Sequence, residues 1–249
     1  MVVTRWKAAS LHLCVSAGIG LLAATLMFGV WYPPPFFHAA GADELILLLI
    51  GVDLAVGPLL TLIVFRPGKP GLIFDLISIS VLQGAALVYG MNVVLQARPV
   101  FLVAAVDRLV LVSADEITDA DLAQGSEPRF RSRSWSGPRL VAARMPSDPK
   151  ERSDLAFSAL SGRDLQNLPR YYRDYGEGGV SLLQRAKPLS TLVQKSADDR
   201  ARVEHWLAGS GRSSETVVWV PLQASKADLV MLLDANTARP IQALEIDPW

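Results

Sequence analysis

Asp53 lies inside the apolar run 44–65, ELILLLIGVDLAVGPLLTLIVF, where a charge is out of place. A carboxylate near mid-depth of a membrane helix costs about 2.5–3.5 kcal/mol on insertion scales, so it faces a helix bundle or a partner. At 100° per residue, Asp53, Gly57 and Thr61 share one helical face. In the preceding apolar run His12, Ser16, Gly20 and Ala23 form a second stripe, and Asp75, Ser78, Gln83, Tyr89 and Asn92 cluster on one side of the third. The chemistry on offer is interhelical: small residues let backbones approach, and polar ones bond across helices. At 1.5 Å rise per residue, His12, Thr61 and Asp75 lie level, which predicts a His12–Asp75 pair, with Gln83 as the polar neighbour of Asp53. The two aspartates are more than ~10 Å apart along the axis. A dyad sharing one proton needs them a few ångströms apart, so intramembrane aspartyl protease chemistry is not expected. The stripes are consistent with a bundle that satisfies itself, or with one that leaves a groove open for another protein's helix.

Elsewhere chemistry is sparse. Cys14 is the one cysteine, so no intramolecular disulfide forms. There is no His-x-x-x-His, no G-x-S-x-G and no phosphate loop; the segment 209–214, GSGRSS, lacks the lysine and the apolar helix that such a loop needs. Neither an enzyme, a metal nor a cofactor is expected, and no small-molecule substrate. Net charge is zero, which gives no footprint for nucleic acid. His205 reads as solvated, and His38 as interfacial beside Phe36 and Phe37. Two stretches offer interface chemistry. One is the basic run Arg129, Arg131, Arg133, Arg139 and Arg144 around Phe130 and Trp135, which is either a solvated loop or a contact for anionic headgroups or an acidic partner. The other is Tyr171, Tyr172 and Tyr175, which are either core or an interface patch.

These groups must be positioned by membrane helices and by a folded domain. Half of the 249 residues are hydrophobic (51%) and only 19% are charged. Residues 1–97 carry just Arg5, Lys7, Arg66 and Lys69 against Asp43, Glu44, Asp53 and Asp75; every other charged residue lies in 98–249. Three apolar segments, about 8–32, 44–65 and 72–95, each approach or exceed the ~20 residues needed to span the hydrocarbon core. Pro33-Pro34-Pro35 and the 66–71 stretch RPGKPG turn the chain between them. The Lys and Arg residues flank the start of the first segment and fill the second joint, whereas the first joint has none. The positive-inside rule therefore predicts a cytoplasmic N-terminus and an external 98–249. An A-x-A match at 40–42 invites a cleaved signal peptide, but the preceding apolar run is longer than the 7–15 residues of a signal h-region, so it is expected to stay as an anchor.

Beyond Pro99, β-rich runs at 100–106 and 109–112 read as a hairpin around Asp107-Arg108. Ser113 with Glu116 three later is a helix start. Residues 124–138 and 168–179 read as loops; 140–145, 217–221, 229–233 and 241–246 as strands; 149–160, 181–195 (interrupted at Pro188) and 197–207 as helices. The fold class is thus an α+β membrane protein: a three-helix transmembrane bundle over 1–97, then a periplasmic α+β domain over 98–249 with a mostly antiparallel sheet.

An ordered set of short matches runs along nearly the whole chain: Arg5-Trp-Lys-Ala8, Trp31-Tyr-Pro33, Gly51-Val-Asp-Leu54, Gly57-Pro58-Leu-Leu-Thr61, Val64-Phe65, Asp75-Leu76, Gln83, Tyr89-Gly90, Arg98-Pro99, Trp219-Val-Pro-Leu222 and Asp247-Pro-Trp249. In this order they resemble the type IV pilin accessory protein family (TfpX/TfpZ type). The chain departs from the pattern around 66–71, where it is short and proline-rich. The resemblance implies a non-catalytic inner-membrane helper, chaperone-like, for accumulation and assembly of the major pilin subunit. That subunit waits in the bilayer with a long apolar N-terminal helix and a periplasmic head. Candidate partner-binding or bundle residues are then Asp53, Gly57, Pro58, Thr61, Asp75, Gln83 and His12, with Arg129, Arg131, Arg133, Trp135, Tyr171, Tyr172 and Tyr175 outside. The alternative is a membrane-anchored sensor whose periplasmic domain binds a ligand.

Overall fold

The computed structural model describes residues 3–249. Helix α1 (Arg5–Leu26) opens on Thr4, whose hydroxyl accepts from the Lys7 N–H, and widens over Met27–Trp31 into a π-helical turn. A short helix α2 (Phe36–Ala39) follows the prolines, then α3 (Ala42–Val64) and α4 (Leu72–Ala97). All three long helices are long and apolar enough to cross a membrane. Gly41 and Gly71 precede α3 and α4 in the left-handed conformation, where a side chain would be strained.

The α+β part contains β1 (Pro99–Ala105), β2 (Arg108–Ser113), α5 (Asp119–Ala123), β3 (Arg139–Ala143), α6 (Pro149–Ala159), β4 (Tyr172–Asp174), α7 (Tyr175–Leu183), β5 (Lys187–Pro188), α8 (Ser190–Val193), α9 (Ala197–Ser210), β6 (Val217–Gln223), β7 (Leu229–Asp234) and β8 (Pro240–Leu244). The sheet order is β4-β3-β1-β2-β6-β7-β8, with β5 paired to β6. Most pairs are antiparallel, but β1–β3 and β2–β6 are parallel, so the sheet is mixed. The expected hairpin forms, with Leu102 opposite Leu111. At Ser113 the expected cap forms too: the Glu116 carboxylate accepts from the Ser113 N–H at 2.8 Å. That stretch makes only a 3₁₀ turn rather than a helix. Residues 168–179 are not the expected loop; they hold β4 and the start of α7.

Alternation places β1 and β2 side chains on two faces. Phe101, Val103, Val110 and Val112 join Phe130 and Tyr172 on one side. Leu102, Ala104, Leu109 and Leu111 face the other way, with Val220, Met231 and Leu233, into a core that continues through Tyr32, Phe37, Trp31 and Met27 to Leu49 and Val94. The membrane helices and the sheet therefore share one core. Only Arg98 separates α4 from β1.

Candidate membrane and junction sites

Helix α3 is the centre of the membrane part. α1 and α4 both pack on it and hardly meet each other, so the arrangement is an open layer rather than a closed bundle. The small stripe of α1 is the face that meets α3: Ser16, Gly20 and Ala23 are buried, and Gly20 sits against Ile50. His12 Nδ1 lies 2.6 Å from Thr61 Oγ1. The expected His12–Asp75 pair does not form, because α3 stands between their helices. Asp75 instead accepts from Lys69 Nζ at 2.6 Å, at the start of α4.

Asp53 is the central residue of α3, about 16 Å from either end. Gln83 Nε2 of α4 donates to the Asp53 backbone carbonyl at 3.2 Å. It reaches that atom across Gly57: a Cβ there would lie 2.1 Å from Gln83 Nε2. Gln83 is thus the neighbour of Asp53, but through the main chain, and its Oε1 is buried without a partner. Pro58, inside α3, has no N–H for the Leu54 carbonyl and loosens the helix at this point. The Asp53 carboxylate makes no ion pair among the described residues. It borders an apolar groove between α3 and α4, lined by Leu48, Val52, Leu87, Tyr89 and Val93. Leu48 and Val52 lie about 160° around α3 from Ile50, which meets α1, so the groove opens on the far flank.

At the other end of these helices the α+β domain is tied on. The Tyr32 hydroxyl donates to the Val94 carbonyl at 2.8 Å, the Gly137 N–H to the Val30 carbonyl at 2.8 Å and the Lys226 N–H to the Ala39 carbonyl at 3.0 Å. Lys226 Nζ pairs with Glu44 at 2.8 Å, which holds the lysine above its ordinary range. Burial and the nearby Arg133 hold Arg98 below the ordinary guanidinium range.

The first three arginines of the basic run are engaged within the α+β domain. Arg129 pairs with Glu127 and Asp174, at 2.8 and 2.9 Å. Arg131 donates to the Gly125 carbonyl, and Arg133 to the carbonyls of Ala114 and Ile117 and to Asp119. Trp135 packs edge-on against Trp31, ring centroids 5.9 Å apart, with Arg98 over its ring. Arg129, Arg131 and Arg133 hold this loop onto the α+β domain and are not a free basic surface, while Trp135 carries the loop against Trp31. The tyrosines are core. Tyr171 sits with Leu155, Leu165 and Leu168, and Tyr172 between Phe101 and Phe130 with its hydroxyl on the Gln166 carbonyl. The Tyr175 hydroxyl donates to the Ala238 carbonyl at 2.6 Å, and burial pushes its phenol up to about 12. None of the three forms an interface patch. Two contacts went unseen in the sequence, Tyr32 to Val94 and Lys226 to Glu44, because nothing local marks partners 62 and 182 residues away.

Comparison with known proteins bears on this geometry. A family model described as fimbrial assembly protein FimB matches residues 1–41. Two Dichelobacter nodosus proteins, the fimbrial assembly proteins of serogroups I and E1, are each 31% identical over 248 residues, covering 96% of both chains. The fimbrial assembly protein of serogroups C1 and C2 is 36% identical over 120 residues, 47% of this chain and 92% of its own. No solved structure matches.

Proposed function

This chain belongs to the fimbrial assembly proteins, a type IV pilin accessory family acting in pilus biogenesis, and we propose that it holds a pilin subunit in the membrane before assembly. The observation that carries this reading is the Asp53 groove. A mid-helix carboxylate without an ion pair, beside the Tyr89 ring and an open apolar flank, is costly against lipid and far less so against a helix with a polar mark. The long N-terminal helix of a pilin is such an occupant, and a pilin's head projects on the side where the α+β domain sits. Recognition here needs no catalysis; the site offers a cradle with one hydrogen-bonding group. The chain lies in the inner membrane with its N-terminus cytoplasmic and residues 98–249 periplasmic, as the placement of Arg5, Lys7, Arg66 and Lys69 supports.

The test is pilin abundance in cells carrying Asp53 variants. Asp53→Leu should insert normally and lose pilin accumulation, while Asp53→Asn keeps part of it, because the amide still hydrogen-bonds. Wild-type pilin levels with Asp53→Leu would remove this groove from the mechanism.

A further inference from the structure

Strands β1 and β3 both start at the membrane helices, β1 two residues beyond the end of α4 and β3 two residues beyond the Gly137 contact with Val30, and run parallel to each other from there. At their far ends lie two clefts of about 710 and 540 Å³ that share Arg144, Met145 and Arg173 as a common rim. We infer that this rim is a second docking surface, for an extended segment of the pilin head that bears a carboxylate next to an apolar side chain; the inference rests on pilin being the partner, as proposed above.

Three observations carry it. First, Arg144, Arg170 and Arg173 line the larger cleft, and none makes an ion pair among the described residues, unlike Arg129 and Arg133. Arg170 lies over the Tyr171 ring at 4.7 Å and the Arg144 N–H is held by the Tyr171 carbonyl, so two of the guanidinium groups stem from a fixed backbone. Glu151 and Asp154 of α6 line the same cleft and also lack ion pairs. The cleft therefore has walls of both signs. It selects a segment whose acid meets the arginines, and it repels one of reversed polarity.

Second, Val106 at the tip of the β1–β2 hairpin has φ 58° and is 58% exposed. A β-branched residue with positive φ is a true outlier, in a turn that favours Asn or Gly. Such strain persists where something else requires it, often at ligand clamps. Here it sets an apolar side chain on the rim of the smaller cleft near Met145, itself 46% exposed, over a floor that includes Ala104 and Ala142. Third, the five residues of β3 place this rim about 15 Å along the strand from the end that meets the membrane helices, and its paired clefts with walls of both signs suit a protein segment.

The test uses the full chain in cells that make the pilin, with a photo-crosslinking amino acid at Met145 or, separately, at Val52 in the membrane groove. Pilin should be captured from both positions. Arg144→Glu with Arg170→Glu, two side chains without hydrogen bonds in the structure, should lower the Met145 yield about tenfold and leave the Val52 yield unchanged. Val106→Gly should lower the Met145 yield while raising the melting temperature, which a merely structural valine would not do. Capture at Val52 without capture at Met145, or a Met145 yield indifferent to charge reversal, overturns the inference and leaves the membrane reading standing. Capture at neither position overturns both.

Discussion

Gly57→Ala tests the contact that organises the membrane site. The added Cβ would stand 2.1 Å from Gln83 Nε2 and 2.4 Å from Cδ, so the amide must withdraw by more than 1 Å and give up its 3.2 Å bond to the Asp53 carbonyl. Interhelical hydrogen bonds in membranes are worth about 0.6 kcal/mol on average and up to ~1.7. Repacking a buried group against an extra methyl costs a further ~1–3 kcal/mol. Alanine returns ~0.5–1 kcal/mol through backbone entropy. The net loss is about 1–2 kcal/mol. With Gln83→Ala the obstruction is gone, and the same Gly57→Ala step should be neutral or stabilising by ~0.5–1 kcal/mol. The two positions should therefore couple by about 2 kcal/mol in a double-mutant cycle, read by equilibrium unfolding of purified protein in mixed micelles. Additivity to within about 0.5 kcal/mol would refute the packing of Gln83 over Gly57.

Three further outcomes follow from the geometry. Gly178→Ala puts a Cβ 2.2 Å from the Ala142 Cβ, which is fixed to β3 and cannot swing aside, so thermal unfolding should show a loss of about 1–3 kcal/mol that no single partner truncation short of Ala142→Gly relieves. The Tyr175 phenol, pushed up to about 12, keeps its proton where the unfolded chain loses it near pH 10. Stability is then complete below pH 10 and falls as pH rises to about 12, and a Tyr175→Phe variant whose alkaline unfolding slope matches wild type would contradict this. Alkaline phosphatase fused after Lys69 should be inactive and after Gly125 active; the opposite pattern would invert the proposed orientation.

The membrane helices were legible because length and apolarity suffice to define them, and the stripes because 100° periodicity is a local property. Asp53 announced itself by being the wrong residue for its depth. What depth could not supply was azimuth: His12 and Asp75 are level, yet α3 lies between them and Thr61 is the nearer hydroxyl. Residues 175–183 read partly as loop because Gly176, Gly178 and Gly179 oppose helix formation; α7 forms because Gly178 lets it close onto Ala142 of β3. The tyrosines could have been core or interface from their type alone, and a carbonyl such as that of Ala238, 63 residues on, decided for Tyr175. The parallel pairings β1–β3 and β2–β6 depend on crossovers of more than thirty residues, which leave no local signature. The arginines of the far cleft come from two separated stretches, around Arg144 and around Arg170–Arg173, and nothing local marks that the two meet.

The single residue between Ala97 and Pro99, with the core that runs unbroken from Met27 to Leu233, leaves no hinge where one would be expected between a membrane anchor and its head. The height of the far rim above Asp53 is thus built in, like two marks on a ruler. A subunit whose stalk is longer by one helical turn, about 5.4 Å, could align with one mark but not with both. On the two-site docking proposed above, length itself would be read alongside charge and shape. A chimera cut at residue 98 would break the ruler, so the tops of the helices must travel with the sheet they support.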